Sequence, residues 1–380
     1  MESMSAAEGS SSPGNEFPLV SIGLPVYNGE RYLRDALPRL ISQDYPNFEL
    51  IVSDNASTDN TAEICKEYSA VESRIRYIRQ ETNLGAIRNF NKVFELSSGK
   101  YFMWAAYDDW WDSSYVSKCV ARLEQHPEAI ICGSYFRILD ENGNEIKHRG
   151  QYFVEATSTG RASRISRLLR FSNPAFSMYS LIRSEGLRDT PKLRGCWGGD
   201  LIMISELCLR GTIITIPEYL FGYRVFANKS FRQIVNTLDP ANKDRSLLVL
   251  WKELYVEVLK AIYAFPMSRF EKFRVLAAAA LTLTTHWGSW ITMSLNDNAR
   301  KYLQPAIENR AKGNRKLMIY YGILSLVHNP LFLFSLGPWA IIGEGIIGPQ
   351  RAAWGRRKFR SFFPRSDQTA TDPNKAAHLN

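Results

Sequence analysis

The sequence predicts an α/β protein: a mostly parallel sheet flanked by helices, followed by a C-terminal helical region. Two observations predict it. From Leu19 to about residue 140, apolar strand-like runs alternate with amphipathic segments of helical period, the pattern of βαβ units. After residue 231 the alternation gives way to long helical periodicity.

The elements follow in order. LVSIGLPV (19–26) is a buried strand rich in β-branched residues, and a helix runs from about Glu30 to Ser42 with Leu33, Leu37, Leu40 and Ile41 on one face. FELIVSD (48–54) is the second strand, closed by the turn and cap residues Asn55, Ser57 and Thr58, and Asp59–Tyr68 is helical. RIRYIR (74–79) alternates as a half-exposed strand does, and AIRNFNKVFEL (86–96) returns to helix. YFMWAA (101–106) is strand, VSKCVARLEQH (116–126) helix and AIICGSYFRIL (129–139) strand, closed by the turn DENGNE. Residues 150–230 are less regular, apart from RASRISRLLRF (161–171), where arginines three apart make one basic helix stripe. Helices are expected again over 246–265 and 273–295.

With 380 residues the chain has room for two domains, or one large domain with an appendage. Residues 1–16 and 365–380 are small and polar and are expected to be disordered. Between them, 17–230 reads as the α/β domain, with halves 17–140 and 141–230, and 231–364 as a basic, apolar helical region. The five cysteines are odd in number and form no CxxC pair, which favours free thiols in a reducing, cytoplasmic compartment. Residues 231–380 hold 21 Lys/Arg against 10 Asp/Glu and so carry the positive excess. Those cations interleave with long apolar helices and no nucleic-acid-binding module appears, so an anionic membrane surface is the expected partner rather than nucleic acid. The charge-free stretch 317–343 is broken by Pro330 and Pro338, which argues against one straight spanning helix. Peripheral attachment at the cytoplasmic membrane face is the expectation, with a helical subdomain packed on the core or on a second subunit as the alternative.

In parallel sheets ligands bind beyond the carboxyl ends of the strands, so the loops there carry the candidate chemistry. LPVYNG (24–29) offers an exposed ring at Tyr27 beside an Asn-Gly turn. SDNASTDNT (53–61) places Asp54 at a strand end, where it could accept hydrogen bonds from a nucleobase or ribose. WAAYDDWW (104–111) puts Asp108 and Asp109 side by side, and a divalent cation such as Mg²⁺ or Mn²⁺ suits such carboxylates together with substrate phosphates. Taken singly, each loop also reads as an ordinary capped turn.

Together, LPVYNGERYLRDAL, ELIVSDNASTDNT, TNLGAIRN and FMWAAYDDWW resemble the nucleotide-sugar-binding half of the family 2 inverting glycosyltransferases, which have the GT-A fold. The resemblance covers roughly 18–140 and continues more loosely to about 230. It implies that Tyr27 stacks on the base with Pro25 shaping the turn, that Asp54 contacts the nucleoside, and that Asn83, Gly85 and Arg88 lie beside the nucleotide. It also implies that Asp108 ligates the metal, with Asp109 as its neighbour. Here Ala106 stands where the family carries the first acid of its Asp-any-Asp motif, so a ribose contact is missing or otherwise supplied. In RGCWGGDLIMISELCLRG the resemblance makes Asp200 the general base, Glu206 being the poorer candidate. In YLFGYRVFANKS it aligns Arg224 with a residue that helps neutralise the leaving diphosphate, while Phe226 stands where a histidine is common.

The expected activity is metal-dependent, inverting transfer from a nucleotide-diphospho-sugar to a lipid-linked or surface-polysaccharide acceptor. The alternative is a non-catalytic assembly subunit of the same fold, which Ala106 and Phe226 motivate. GxGxxG, GxxxxGK[ST], HExxH and GxSxG are absent.

Overall fold

The computed structural model describes residues 17–146, 154–170, 174–226, 245, 247–285, 305–309, 312, 316–317 and 319–320. The chain divides into two units, residues 1–245 with 249–287, and residues 246–248 with 288–380. The apolar stretch 317–343 lies almost wholly outside the described residues, as do both expected disordered ends.

The first unit is built on one eight-stranded sheet ordered β3-β2-β1-β4-β7-β6-β8-β5. Its first four strands are β1 (Val20–Val26), β2 (Phe48–Asp54), β3 (Ile75–Arg79) and β4 (Tyr101–Trp104). The other four are β5 (Trp110–Trp111), β6 (Ala129–Leu139), β7 (Leu181–Arg183) and β8 (Thr212–Arg224). β1, β2, β3 and β4 pair in parallel, as do β6 and β8, whereas β7 and β5 join their neighbours antiparallel. β1 is buried at every position, as a central parallel strand covered on both faces must be. The order reverses at β1, which leads out to β2 on one side and is flanked by β4 on the other. That reversal opens a crevice at the carboxyl ends of the two strands.

The crossover helices are α1 (Glu30–Ile41), α2 (Thr61–Val71), α3 (Ala86–Glu95) and α4 (Tyr115–Gln125). α1 buries Leu33, Ala36, Leu37 and Leu40, the stripe that its three-to-four spacing requires. Beyond β6 follow α5 (Arg161–Arg170), a 3₁₀ turn (Pro174–Tyr179), α6 (Ser184–Arg188), α7 (Gly199–Arg210), α8 (Leu247–Ala264) and α9 (Arg269–Thr285).

The basic stripe of α5 is exposed at Arg167 and Arg170 and turns inward at Arg164 and Arg161. Arg164 is buried and donates to the carbonyls of Cys208 and Leu209 at 2.8 and 3.2 Å, and Arg161 donates to Leu209 O at 2.9 Å. These guanidiniums satisfy the orphan carbonyls at the C-terminal end of α7 and meet the negative end of its dipole. All five cysteines are free thiols, four of them buried.

Candidate active site

Three loops lie at the crevice; backbone-to-side-chain bonds fix the first two to each other, and Tyr107 of the third packs against the first. The Tyr27–Glu30 turn is held by its neighbour after β2. Asn28 N–H donates to Ser57 Oγ (2.9 Å), Gly29 N–H to Thr61 Oγ1 (2.8 Å) and Glu30 N–H to Asp59 Oδ2 (3.1 Å). Asn28 accepts Thr58 N–H in return, from a left-handed φ of 51° that asparagine tolerates. The clamped turn presents the Tyr27 ring, 42% exposed, above a buried Pro25.

Asp54 has no accessible surface. Its Oδ1 accepts Ser57 N–H (2.8 Å), and its Oδ2 accepts Tyr77 Oη–H (2.9 Å) and lies 3.4 Å from Arg79. The carboxylate expected from the sequence to contact the nucleoside braces the loop that holds the Tyr27 turn. Asn55 extends the brace: its amide bonds Asn83 Oδ1 at 2.9 Å, and its Oδ1 accepts Leu84 N–H at 2.8 Å. Asn83, Gly85 and Arg88 are all exposed. Gly85 caps α3 with φ +82°, and nothing lies within 4 Å of where its Cβ would stand. Arg88, one turn on, makes no hydrogen bond or ion pair with any described residue.

After β4 the chain turns through Ala106 and Tyr107 into the paired acids. Tyr107 packs against the first loop, 3.2 Å from where a Gly29 Cβ would stand, and burial raises its phenol to about 12. The two acids differ in environment. Asp108 is half-buried at the crevice. Asp109 is buried, accepts Arg224 N–H on Oδ1 (2.9 Å) and leaves Oδ2 without a hydrogen-bond partner. Desolvation, and secondarily the Asp108 charge, push its carboxyl well above the usual range. Asp109 thus holds the end of β8 through the Arg224 N–H, while Asp108 is the acid of the pair that stands at the crevice.

Arg224 also departs from expectation. Its Nε donates to Asp108 O (2.6 Å) and a terminal nitrogen to Glu141 O (3.1 Å); the other lies 3.4 Å from Asp35, and the group sits 4.9 Å from the Tyr32 ring centroid. Buried and so engaged, the guanidinium ties β8 to the loop after β4 and is not free to clasp a diphosphate. Phe226, at the position where a histidine is common, packs edge-on against Tyr32 at 5.8 Å.

Asp200 opens α7 and accepts Leu201 N–H on Oδ1 (2.8 Å). Burial raises its pKa above the ordinary carboxylate range, partly offset by that hydrogen bond. Its position depends on the turn before it. Gly198 caps α7 with φ +72°, and a Cβ there would stand 2.6 Å from Leu254 of α8. Trp197 meets Trp251 of the same helix edge-on at 5.8 Å. Glu206 faces away from this point, buried against Arg194 at 2.6 Å.

Two tyrosines pack near one another behind these acids. Tyr179 and Tyr223 lie 6.5 Å apart, and besides burial the charges of Asp108, Asp109 and Asp200 all push their phenols up, Tyr223 to about 12. Sequence reasoning missed this pair, although Tyr223 stands next to the Arg224 it did select. Among the described residues no group of three or more His, Cys, Asp or Glu side chains converges as a metal cage.

Residues 21–184 match the sequence profile of the family described as Glycosyl transferase family 2. A Haemophilus influenzae protein named only as a glycosyltransferase is 29% identical over 221 residues, 56% of this chain and 67% of its own length. A Bacillus subtilis glycosyltransferase provisionally named for teichuronic acid biosynthesis, TuaG, is 35% identical over 101 residues, 27% of this chain and 40% of its own length, well under two thirds. The structure of S. aureus TarS residues 1–349 in complex with UDP-GlcNAc superposes over 82% of this chain and 92% of that one, with a TM-score of 0.54 at 16% identity, a likeness of fold.

Proposed function

We propose that this chain, whose residues 21–184 match the profile of glycosyl transferase family 2, carries out metal-dependent, inverting transfer of a sugar from a nucleotide-diphospho-sugar to a lipid-linked or surface-polysaccharide acceptor. One observation carries the reading. The exposed Tyr27 ring, on a turn clamped to the loop after β2, and the half-buried Asp108 after β4 stand at the carboxyl ends of adjacent parallel strands.

The donor class is supported by the UDP-GlcNAc bound in the TarS structure of the same fold. The acceptor class is supported by the name of the Bacillus relative. The cytoplasmic membrane face, the proposed location, is supported by five free thiols and by the basic C-terminal part of the chain.

In this reading the Tyr27 ring stacks on the base, and the open backbone at Gly85 with the unpaired Arg88 takes the diphosphate, the role that Arg224 is too engaged to fill. Asp200 accepts the proton of the acceptor hydroxyl. The hydroxyl oxygen bonds the anomeric carbon as the bond to the diphosphate oxygen breaks on the opposite face, which inverts the centre. For this Asp200 must be ionised; the Leu201 N–H stabilises that form, while burial makes it a stronger base.

The donor set fits a hard divalent cation. Asp108 offers one carboxylate at the strand end, and Mg²⁺ or Mn²⁺ commonly takes one or two carboxylates plus substrate phosphates. Such an ion, when bound, would neutralise charge on the departing diphosphate. The test is transfer or donor hydrolysis across a panel of UDP-, GDP- and dTDP-sugars with Mn²⁺. Asp200→Asn should bind nucleotide and fail to turn over; equal turnover by wild type and variant would refute the assignment.

A further inference from the structure

Helices α8 and α9 carry a second exposed surface. Tyr263 at the end of α8, and Phe270, Phe273 and Leu281 on α9, are 66%, 73%, 71% and 71% exposed. Along α9 the exposed positions are Arg269, Phe270, Phe273, Arg274, Ala277, Leu281 and Thr284. Their three-to-four spacing makes them one stripe. The opposite stripe, Val275, Ala279, Thr282 and Leu283, is buried, with Thr282 Oγ1 2.8 Å from Ser166 Oγ of α5. α9 is thus fixed by one face and leaves an aromatic face outward.

The charge on that face has one sign. Arg269 and Arg274 are exposed, and the Lys272 ammonium lies 4.8 Å from the Tyr263 ring centroid. Arg274 sits 5.9 Å from the Phe270 centroid. Glu271, the single acid of α9, turns the other way and pairs with Arg161 of α5 at 2.7 Å. The outward face therefore shows three cations among rings and a leucine.

We propose that this face is a docking surface for an anionic lipid bilayer. Tyr263, Phe270, Phe273 and Leu281 enter the headgroup–acyl boundary, and Arg269, Lys272 and Arg274 lie against the anionic headgroups. Charge complementarity selects that occupant. A second copy seated on the same face would set these cations against one another, and the chain's own apolar stretch 317–343 contains no charge to meet them. Amphipathic rings at the boundary and cations at the headgroups are the arrangement that interfacial proteins use.

The test is co-sedimentation of the full chain with vesicles of equal parts phosphatidylglycerol and phosphatidylcholine, against phosphatidylcholine alone. The expected result is binding to the anionic vesicles that weakens with added salt. Phe270→Ser/Phe273→Ser/Leu281→Ser and Arg269→Gln/Lys272→Gln/Arg274→Gln should each lower the partition by roughly tenfold or more, since each membrane-facing cation contributes about fivefold. Val71→Ser, which removes an equally exposed apolar residue from α2, should leave it unchanged. Thermal midpoints matching wild type show that the variants fold. Triple variants that bind like wild type would overturn the proposal, as would no preference for anionic vesicles, or a wild-type dimer that the same substitutions dissociate. Transfer to a soluble acceptor is expected to survive both triple variants, so this outcome is read apart from the enzymatic one.

Discussion

The backbone N–H of Arg224 lies 2.9 Å from Asp109 Oδ1, joining the end of β8 to the loop after β4 across 115 residues of chain. The carboxyl that receives it is buried, and desolvation favours its neutral form. Asp109→Asn keeps the acceptor and the shape, so it should cost little stability. Asp109→Ala strands the Arg224 N–H and should cost about 1–3 kcal/mol, the penalty of an unsatisfied buried donor. Urea denaturation of the two variants reads the difference directly.

Asp200→Asn should lower kcat by about 10²–10⁴-fold, the usual contribution of a general base, while the thermal shift produced by UDP stays near that of wild type. The pH profile supplies a second reading. Catalysis needs the ionised form, and burial raises the pKa of Asp200. The acid limb of kcat/KM should therefore fall at a pH above the ordinary carboxylate range, activity being lost as pH drops through it. In the variant that limb should vanish from whatever turnover remains.

Chelation should abolish transfer, and Mn²⁺ or Mg²⁺ should restore it. Asp108→Asn should require far more metal for half-maximal activity. Full activity of the chelated wild type would show that the acid acts without a cation.

Tyr27→Ala should weaken nucleotide binding by about 1–3 kcal/mol, the measured range for base–aromatic stacking, and Tyr27→Phe should keep it. The side chain is largely exposed, so neither change should move the thermal midpoint. Calorimetric titration with UDP and GDP checks this.

Much of the architecture was legible. The strands β1, β2, β3, β4 and β6 and helices α1–α4 follow from period and cap residues to within a few positions, because each is a regular element with one apolar face. β8 was not recognised, although TIITI is β-branched; Pro217 and the register shifts against β6 obscure its alternation. β5, two tryptophans long, is specified only by its pairing with Phe221 and Gly222. Within the site, residue type in its motif selected Tyr27, Asp108 and Asp200 as candidates, which the structure sets on the turn after β1, the loop after β4 and the start of α7. It could not tell an arginine that meets substrate from one held by carbonyls. Arg224 and Asp54 are engaged by Glu141, Ser57 and Tyr77, residues whose approach is tertiary.

Gly198 has a practical implication for anyone trimming the protein. The turn that aims Asp200 is roofed by Leu254 and Trp251, so a version ending near residue 230 would strip that roof from the start of α7. A minimal enzyme has to be cut beyond residue 287, where the first compact unit ends, or it will keep the Tyr27 loops and lose the alignment of Asp200, the proposed proton acceptor.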